Sequence, residues 1–577
     1  MTPSGDPVRH DGPEVAPIYV RDPPAVPRQI PVVIVGGGPS GLYLSLDLAS
    51  RGIRSIVVEP RVEVDVTRPR AKTANARTMT FLRRLGLADR LRDAAPLSAE
   101  YSEDVIFCSS LVGHEVSRFH NAFQVVRGRY DPQPEAGQQV PQPVVENVLR
   151  EALDEVEEAT LLLGARAVEL DLEPSRPRVL IVDENGQSHW IQCDYIVGAD
   201  GSGSLVRTTL GIALEGSSES RQNLNVLFRS EQLADIVALD PAIQYWVLNP
   251  ESSGMVGRFD LDLTWWAIIQ GIDTDADPDP VSLVQGLIGA PIEVDTVAAD
   301  MWTARMLLAS SYGGGRVFLV GDAAHLNPPW GGHGFNTCIG DAANLAWKLA
   351  ASFGSWAGPG LLSSYEAERR PVAARTIRDA AANGSSLAYD FADPLLAEGS
   401  VRGEAARHAT ADALKVKTSE FSSLGLVLGY HYADSPIVVN DGAPPPIEDP
   451  IQYTPSSSAG SLLPHVWLPD GRSLYDRLGS DFTLLVDPAG PAAARFAQEA
   501  AALSAAYRIP LQILEVNLLH DLGPSHAILV RPDQHVAWRG DDPAALGDVL
   551  LATTGWQVTH LEDVLPTEAT RVFGDRP

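Results

Sequence analysis

An apolar run that opens into glycines, Val32-Val33-Ile34-Val35-Gly36-Gly37-Gly38-Pro39-Ser40-Gly41, constrains this chain more than any other segment. β-Branched residues that stop at a glycine turn read as a buried parallel strand feeding a tight loop. Gly36 permits the turn, Gly38 lets backbone approach a pyrophosphate, and Gly41 lets the next helix pack on the strand. Leu42 to Ala49 is that helix, and its positive end, with Pro39 and Ser40, would face the pyrophosphate. A second strand, Ser55-Ile56-Val57-Val58, ends in Glu59, 18 residues after Gly41. An acidic side chain there is placed to bind ribose hydroxyls and argues against a 2′-phosphate on this nucleotide.

A second glycine-bearing segment lies nearly three hundred residues on. Val317-Phe318-Leu319-Val320-Gly321-Asp322-Ala323-Ala324-His325 is followed by Pro328-Pro329-Trp330-Gly331-Gly332-His333-Gly334-Phe335-Asn336. Asp322 can accept from ribityl hydroxyls, and backbone N–H groups at the start of the next helix can stabilise negative charge on a reduced flavin ring. The two segments together suit FAD. In the helix that follows, Ala342, Leu345, Ala346, Leu349 and Ala350 recur at helical spacing, which puts Lys348 on the wet side.

Between them stands Asp194-Tyr195-Ile196-Val197-Gly198-Ala199-Asp200-Gly201-Ser202-Gly203-Ser204-Leu205-Val206-Arg207. Three motifs in this order resemble the FAD-dependent aromatic hydroxylases, the single-component group A flavoprotein monooxygenases of the 4-hydroxybenzoate hydroxylase type. Further matches are Asn75-Ala76-Arg77-Thr78-Met79, Gln142-Pro143-Val144-Val145-Glu146 and Tyr365-Glu366-Ala367-Glu368-Arg369-Arg370. The resemblance runs from about residue 30 to 435 and favours the long branch of phenol, 2,4-dichlorophenol 6-monooxygenase and polyketide hydroxylase-like enzymes. It implies bound FAD, NADPH or NADH as transient co-substrate, O2, a small phenolic substrate and oxygen transfer through a flavin C4a-hydroperoxide. It also carries cofactor contacts onto Arg70, Arg77, Gln142, Asp200, Gly201, Gly321, Asp322, Pro329, Gly332, Gly334, Phe335 and Asn336.

Two departures bear on chemistry. Relatives often have Gln-Gly-Met-Asn where this chain has His333-Gly334-Phe335-Asn336. His333 is therefore the first candidate for a base acting on a phenol. Lys72 stands where relatives can place a histidine or aspartate near the substrate hydroxyl, and could favour a phenolate; Pro328 would line the oxygen-transfer side.

The predicted fold is α/β: a Rossmann-like FAD-binding domain of the glutathione-reductase type, an inserted β-sheet substrate domain and a C-terminal thioredoxin-like domain. The boundaries are 1–29 for a flexible tail, 30–212 and 313–440 for the two parts of the FAD domain with a helical connection, 213–312 for the insertion and 441–577 for the last domain. Within the insertion, Tyr245, Trp246, Trp265 and Trp266 are pocket candidates, of which strand alternation allows at most about half to face a ligand. The last domain has no cysteine and so no thiol–disulfide chemistry. A structural or dimer-interface role is the reading for Arg531-Pro532-Asp533 and His535.

Composition supplies exclusions. A net charge of −30 makes nucleic acid and anionic membrane surfaces poor partners. Cys108, Cys193 and Cys338 form no metal-spaced cluster, so no metal is expected, and they suit a reducing, cytoplasmic compartment. No run approaches the ~18 apolar residues of a spanning helix. A homodimer is the assembly this reading leaves open. The alternatives on this scaffold are an FAD-dependent dehydrogenase, a Baeyer–Villiger-type oxygenase or a halogenase, the last weakened because no W-x-W-x-I-P stretch occurs. A non-catalytic FAD-binding scaffold is the reading from another class, and NADPH oxidation with and without phenols separates these cases.

Overall fold

The computed structural model describes residues 25–67, 72–173, 175–273, 279–517 and 519–556. Arg70 and residues 1–24 of the expected tail lie outside the described residues. The apolar run is a strand, Gln29–Val35, whose Val32, Val33 and Ile34 are wholly buried. It pairs in parallel with Ser55–Glu59 on one side and Ser188–Gly198 on the other. The sheet continues in parallel to Val317–Leu319 beyond the second neighbour and to Ala159–Leu163 beyond the first.

This order explains how segments so far apart in sequence meet. The glycine turn, Asp200-Gly201 and Gly321-Asp322 leave the carboxyl ends of three adjacent parallel strands. Crevices outside those ends are where open α/β sheets bind ligands. Helices Pro39–Ala49 and His333–Phe353 pack on each other over the sheet, so both N-termini point toward one crevice.

A second sheet of seven strands lies beyond. Its order is Asp295–Trp302, Gln222–Arg229, Thr264–Ile272, Gly254–Arg258, Gln244–Val247, Val105–Cys108 and Glu115–Phe119. It is antiparallel except where Gln244–Val247 meets Val105–Cys108. This sheet is thus not confined to the expected insertion 213–312, because residues 105–119 fill the edge that Gln244–Val247 would otherwise leave unpaired.

The last sheet runs Leu511–Glu515, Phe482–Val486, Ala527–Val530 and Val536–Gly540. The loop 531–535 at its end is sunk into the FAD-binding unit. Lys348, expected on a wet face, is consequently 0 % exposed and donates to Glu368 Oε2 at 2.7 Å. Arg531 and Asn344 donate to the same oxygen, and Arg531 also pairs with Asp533. A later domain covers the helix face that periodicity alone had left to solvent.

Candidate active site

A cavity of about 1040 Å³ runs along the crevice. At one end it is walled by Gly36, Gly38, Pro39, Ser40, Glu59 and Gln142, and further along by Asp200, Gly201 and Asp322. Pro328, Pro329, Gly332, Gly334 and Phe335 continue it toward Lys72 and Trp266. The line of motifs read from sequence is therefore one continuous surface.

The local geometry suits an elongated, hydroxyl-bearing dinucleotide. Gly36 has φ +107°, and a Cβ there would lie 2.3 Å from the Ala199 carbonyl oxygen. Gly38 faces the cavity with nothing within 4 Å of an added Cβ, which is the room that a close backbone approach needs. Glu59 accepts from the Gly37 N–H at 2.7 Å and from the Arg61 backbone and Nε at 2.9 and 2.7 Å. Glu146, from the Gln142–Glu146 match, also lines this end, as do Arg61 and Arg166, to which no motif had pointed.

Asp200 carries the clearest sign of an intended polar ligand. Its Oδ2 accepts from the Val206 N–H at 3.2 Å, whereas Oδ1 is buried without a hydrogen-bond partner among the described residues. Burial pushes this carboxyl above its ordinary range. A buried acceptor left unmatched is costly unless a ligand donor completes it. The helices Pro39–Ala49 and His333–Phe353 have no side-chain N-cap bonds, so their N-terminal amides remain for negative charge.

Several expected contacts do not reach the cavity. Gly41 serves packing, since a Cβ would lie 2.1 Å from the Gly36 carbonyl oxygen. Gly321 sits behind the wall at φ +61°, its N–H donating to Asp341 Oδ2 at 3.2 Å. Asn336 is a clamp: Nδ2 donates to Thr73 O at 3.0 Å and Gly332 O at 2.7 Å, and Oδ1 accepts from Asn75 N at 2.9 Å. Arg77 is drawn off by the last domain, donating to the Gln534 side chain and to Asp533 O at 2.7 Å.

Of the four aromatic candidates only Trp266 lines the cavity. Tyr245 and Trp265 face the opposite side of the sheet, in a cluster with Phe228 and Ile106, and the Tyr245 hydroxyl donates to Asp240 O at 2.8 Å. Trp246 is on the near side but stacks on Phe107, ring centroids 5.3 Å apart, behind the cavity wall. Alternation halved the candidates; packing removed one more.

His333 is also corrected. Its ring is turned away from the cavity beneath Gly331, is 3 % exposed, and has no hydrogen-bond partner for Nε2 among the described residues. Burial lowers its pKa to about 4, so it is neutral at pH 7, and it is absent from the residues that line the cavity. His333→Gln is therefore expected to change turnover by less than about threefold, against the ~10²–10⁴ that a general base supplies. A product yield and pH profile matching wild type would bear this out; loss of product with peroxide released would reverse it.

Lys72 stands at the far end of the cavity. Its Nζ lies 4.1 Å from the Trp266 ring centroid, in the cavity wall, and burial lowers its pKa to about 8. Behind the loop, His325 ties two segments together, with Nε2 2.8 Å from Asp341 Oδ2 and Nδ1 2.9 Å from Asn327 Oδ1. Burial alone would lower its pKa, but Asp341 raises it. An imidazolium there would hold the Gly321 turn and the Pro328-Pro329 loop in fixed relation.

Fold and site define an FAD-dependent oxidoreductase with a chamber for an aromatic molecule beside the flavin end of the crevice. Residues 29–380 match the FAD binding domain family, and residues 456–557 match the aromatic-ring hydroxylase C-terminal family. The 2,4-dichlorophenol 6-monooxygenase of Cupriavidus pinatubonensis is 31% identical, over 90% of this chain and 95% of its own. RebC soaked with chromopyrrolic acid and holding 7-carboxy-K252c superposes with a TM-score of 0.84 at 32% identity, covering 92% of this chain and 100% of its own. Aklavinone-11 hydroxylase in complex with FAD and aklavinone gives a TM-score of 0.78 at 27% identity, covering 91% and 99%. The chain belongs to the FAD-dependent aromatic-ring hydroxylases and is a flavin monooxygenase of their long, phenol hydroxylase-like branch.

Proposed function

We propose that this chain hydroxylates a phenolic or polyketide-type aromatic, with NADPH or NADH as the electron donor and O2 as the oxygen source. The observation that carries it is the continuity of one cavity from the Gly36–Glu59 end to Trp266 and Pro328. When bound, FAD supplies the redox chemistry that activates oxygen. Gly38, Glu59, Gln142, Asp200 and Asp322 would hold it, with the amides of the Gly332–Phe335 segment at the ring end. The chain's own contribution is placement, exclusion of water and control of one proton.

Lys72 performs the last of these. An ammonium held over Trp266, with no carboxylate partner among the described residues, favours the phenolate, the electron-rich form that an oxygen electrophile attacks. Pro328 and Pro329 offer no N–H and shape an unreactive wall on that side. The described residues of 441–577 fit a thioredoxin-like reading, supported by a parallel pair joined through helix Ala493–Tyr507 and two antiparallel strands. Their role is structural, through loop 531–535. Cytoplasmic residence accords with three buried free thiols.

The test is NADPH and NADH consumption by the FAD-loaded protein, with and without a panel running from simple phenols to hydroxylated polycycles. Substrate-stimulated oxidation with a hydroxylated product is expected. Oxidation that ignores every phenol and yields only peroxide would overturn the reading.

A further inference from the structure

Outside the cofactor-binding end, the chamber is built mainly from Phe123, Met255, Trp266, Ile268, Leu326 and Trp330. One carboxyl group interrupts that surface. Glu420, from the short helix Thr418–Phe421, lines the cavity at 2 % exposure beside the Gly331 backbone N–H. Lys417 pairs with it, and the Lys417 Nζ also donates to Asn383 O at 2.8 Å and Ser386 O at 3.0 Å.

This arrangement is rigid. The next residue, Phe421, is wedged among Phe107, Phe119, Phe123 and Trp246, with ring centroids 4.9 to 6.1 Å away. An ammonium–carboxylate pair in such a setting is costly to bury, and an apolar pair of similar size would serve stability as well or better. Lys417 is satisfied by two carbonyls besides Glu420, whereas the Glu420 carboxyl group stands in the cavity wall with acceptor sites to spare after Lys417 and the Gly331 N–H. Burial raises the pKa of Glu420 although Lys417 opposes this, and Asp379 is the other charged group acting on it.

Resting on the hydroxylase reading, we propose that Glu420, fixed by Lys417 and the Phe421 cluster, is a substrate-orienting hydrogen-bond acceptor. It selects aromatic molecules that present an O–H or N–H donor on the edge lodged beside Gly331. Its partner in recognition is Lys72, which takes an acidic hydroxyl on another part of the same molecule. The substrate class is accordingly a fused-ring aromatic with two separate polar positions rather than a monohydric phenol.

The test uses FAD-loaded protein and two probes of the same shape, carbazole and dibenzofuran, titrated by the change they cause in flavin absorption. Carbazole offers an N–H too weakly acidic to ionise beside Lys72, and dibenzofuran offers none. Wild type should bind carbazole at least about tenfold more tightly, the scale of one hydrogen bond to a charged acceptor. Glu420→Gln should reduce that ratio to within about twofold. The double variant Lys417→Met/Glu420→Leu, which strands no buried charge, should do the same at unchanged FAD content. A wild type that does not discriminate overturns the proposal, as do variants that keep the wild-type ratio. Product analysis separates the two readings. Discrimination without any hydroxylated phenol leaves Glu420 in place and removes the hydroxylase reading; phenol hydroxylation with an unchanged ratio does the reverse.

Discussion

Glu368→Ala is expected to cost about 3–5 kcal/mol of unfolding free energy at pH 7, enough to unfold much of the protein near its working temperature. Both carboxylate oxygens are used in full. Oε2 accepts from Lys348, Asn344 and Arg531, each at 2.7 Å, and Oε1 from Arg531 and Ser435, each at 2.6 Å. Lys348, Glu368 and Arg531 are all 0–2 % exposed. Removing the anion leaves two buried cations with Asp533 as the remaining carboxylate beside them among the described residues. Burial alone would raise the Glu368 pKa, but Arg531 and Lys348 hold it at about 2 against an ordinary 4.5. A lowered carboxyl pKa contributes stability that is present above 4.5 and is lost as pH falls toward 2. His535, kept neutral by burial down to about pH 4, adds to acid sensitivity, because the unfolded chain binds its proton near 6.5. Thermal melts of the holoprotein should show a steep fall in Tm between about pH 5 and 3 in wild type and a shallower one in the variant. Equal melting temperatures at pH 7 would show that the cluster does not hold the domains together.

Lys72→Met is expected to lower phenol hydroxylation at pH 7 by about 10–10² while FAD content stays at the wild-type level. Methionine fills the stem's space above Trp266 without the charge. The ammonium exists below about pH 8 and is lost above it, so the wild-type rate should decline as pH rises through that value and the variant should lack the decline. Acidic phenols are already ionised at pH 7 and need less help from a cation. The defect should therefore shrink from phenol to nitrophenol. The same loss across that series, or none, would mean that Lys72 only packs on the ring.

The end of the cavity walled by the glycine turn and Glu59 was legible because its information is local. Gly36, Gly38 and Glu59 carry their meaning in spacing along one strand, turn and helix, and all three line the cavity. The misreadings share a different cause. Lys348 looked solvated and Arg77 looked like a cofactor ligand because residues 531–535, which engage both sites, come more than 180 residues later. His333 fell between glycines in the right loop, yet the first turn of its helix points the ring backward under Gly331. The spacing of Lys417 and Glu420 marks them as a pair on one helical face, but nothing local distinguishes a buried pair from a solvated one. The strand Val105–Cys108 was a plain apolar run whose sheet no period could name.

That strand limits how this protein can be recombined. A natural choice for altering specificity is to exchange 213–312 with the corresponding part of a relative. Such a graft would bring its own Gln244–Val247 segment to a foreign Val105–Cys108 edge, across the one parallel ladder of the sheet, where Tyr245 pairs with Ile106 and Trp246 with Phe107. Phe107 is at the same time a wall of the cluster that seats Phe421. The transferable unit is discontinuous: residues 105–125, the sheet strands and the segment through 421 must travel together for a borrowed pocket to keep its shape.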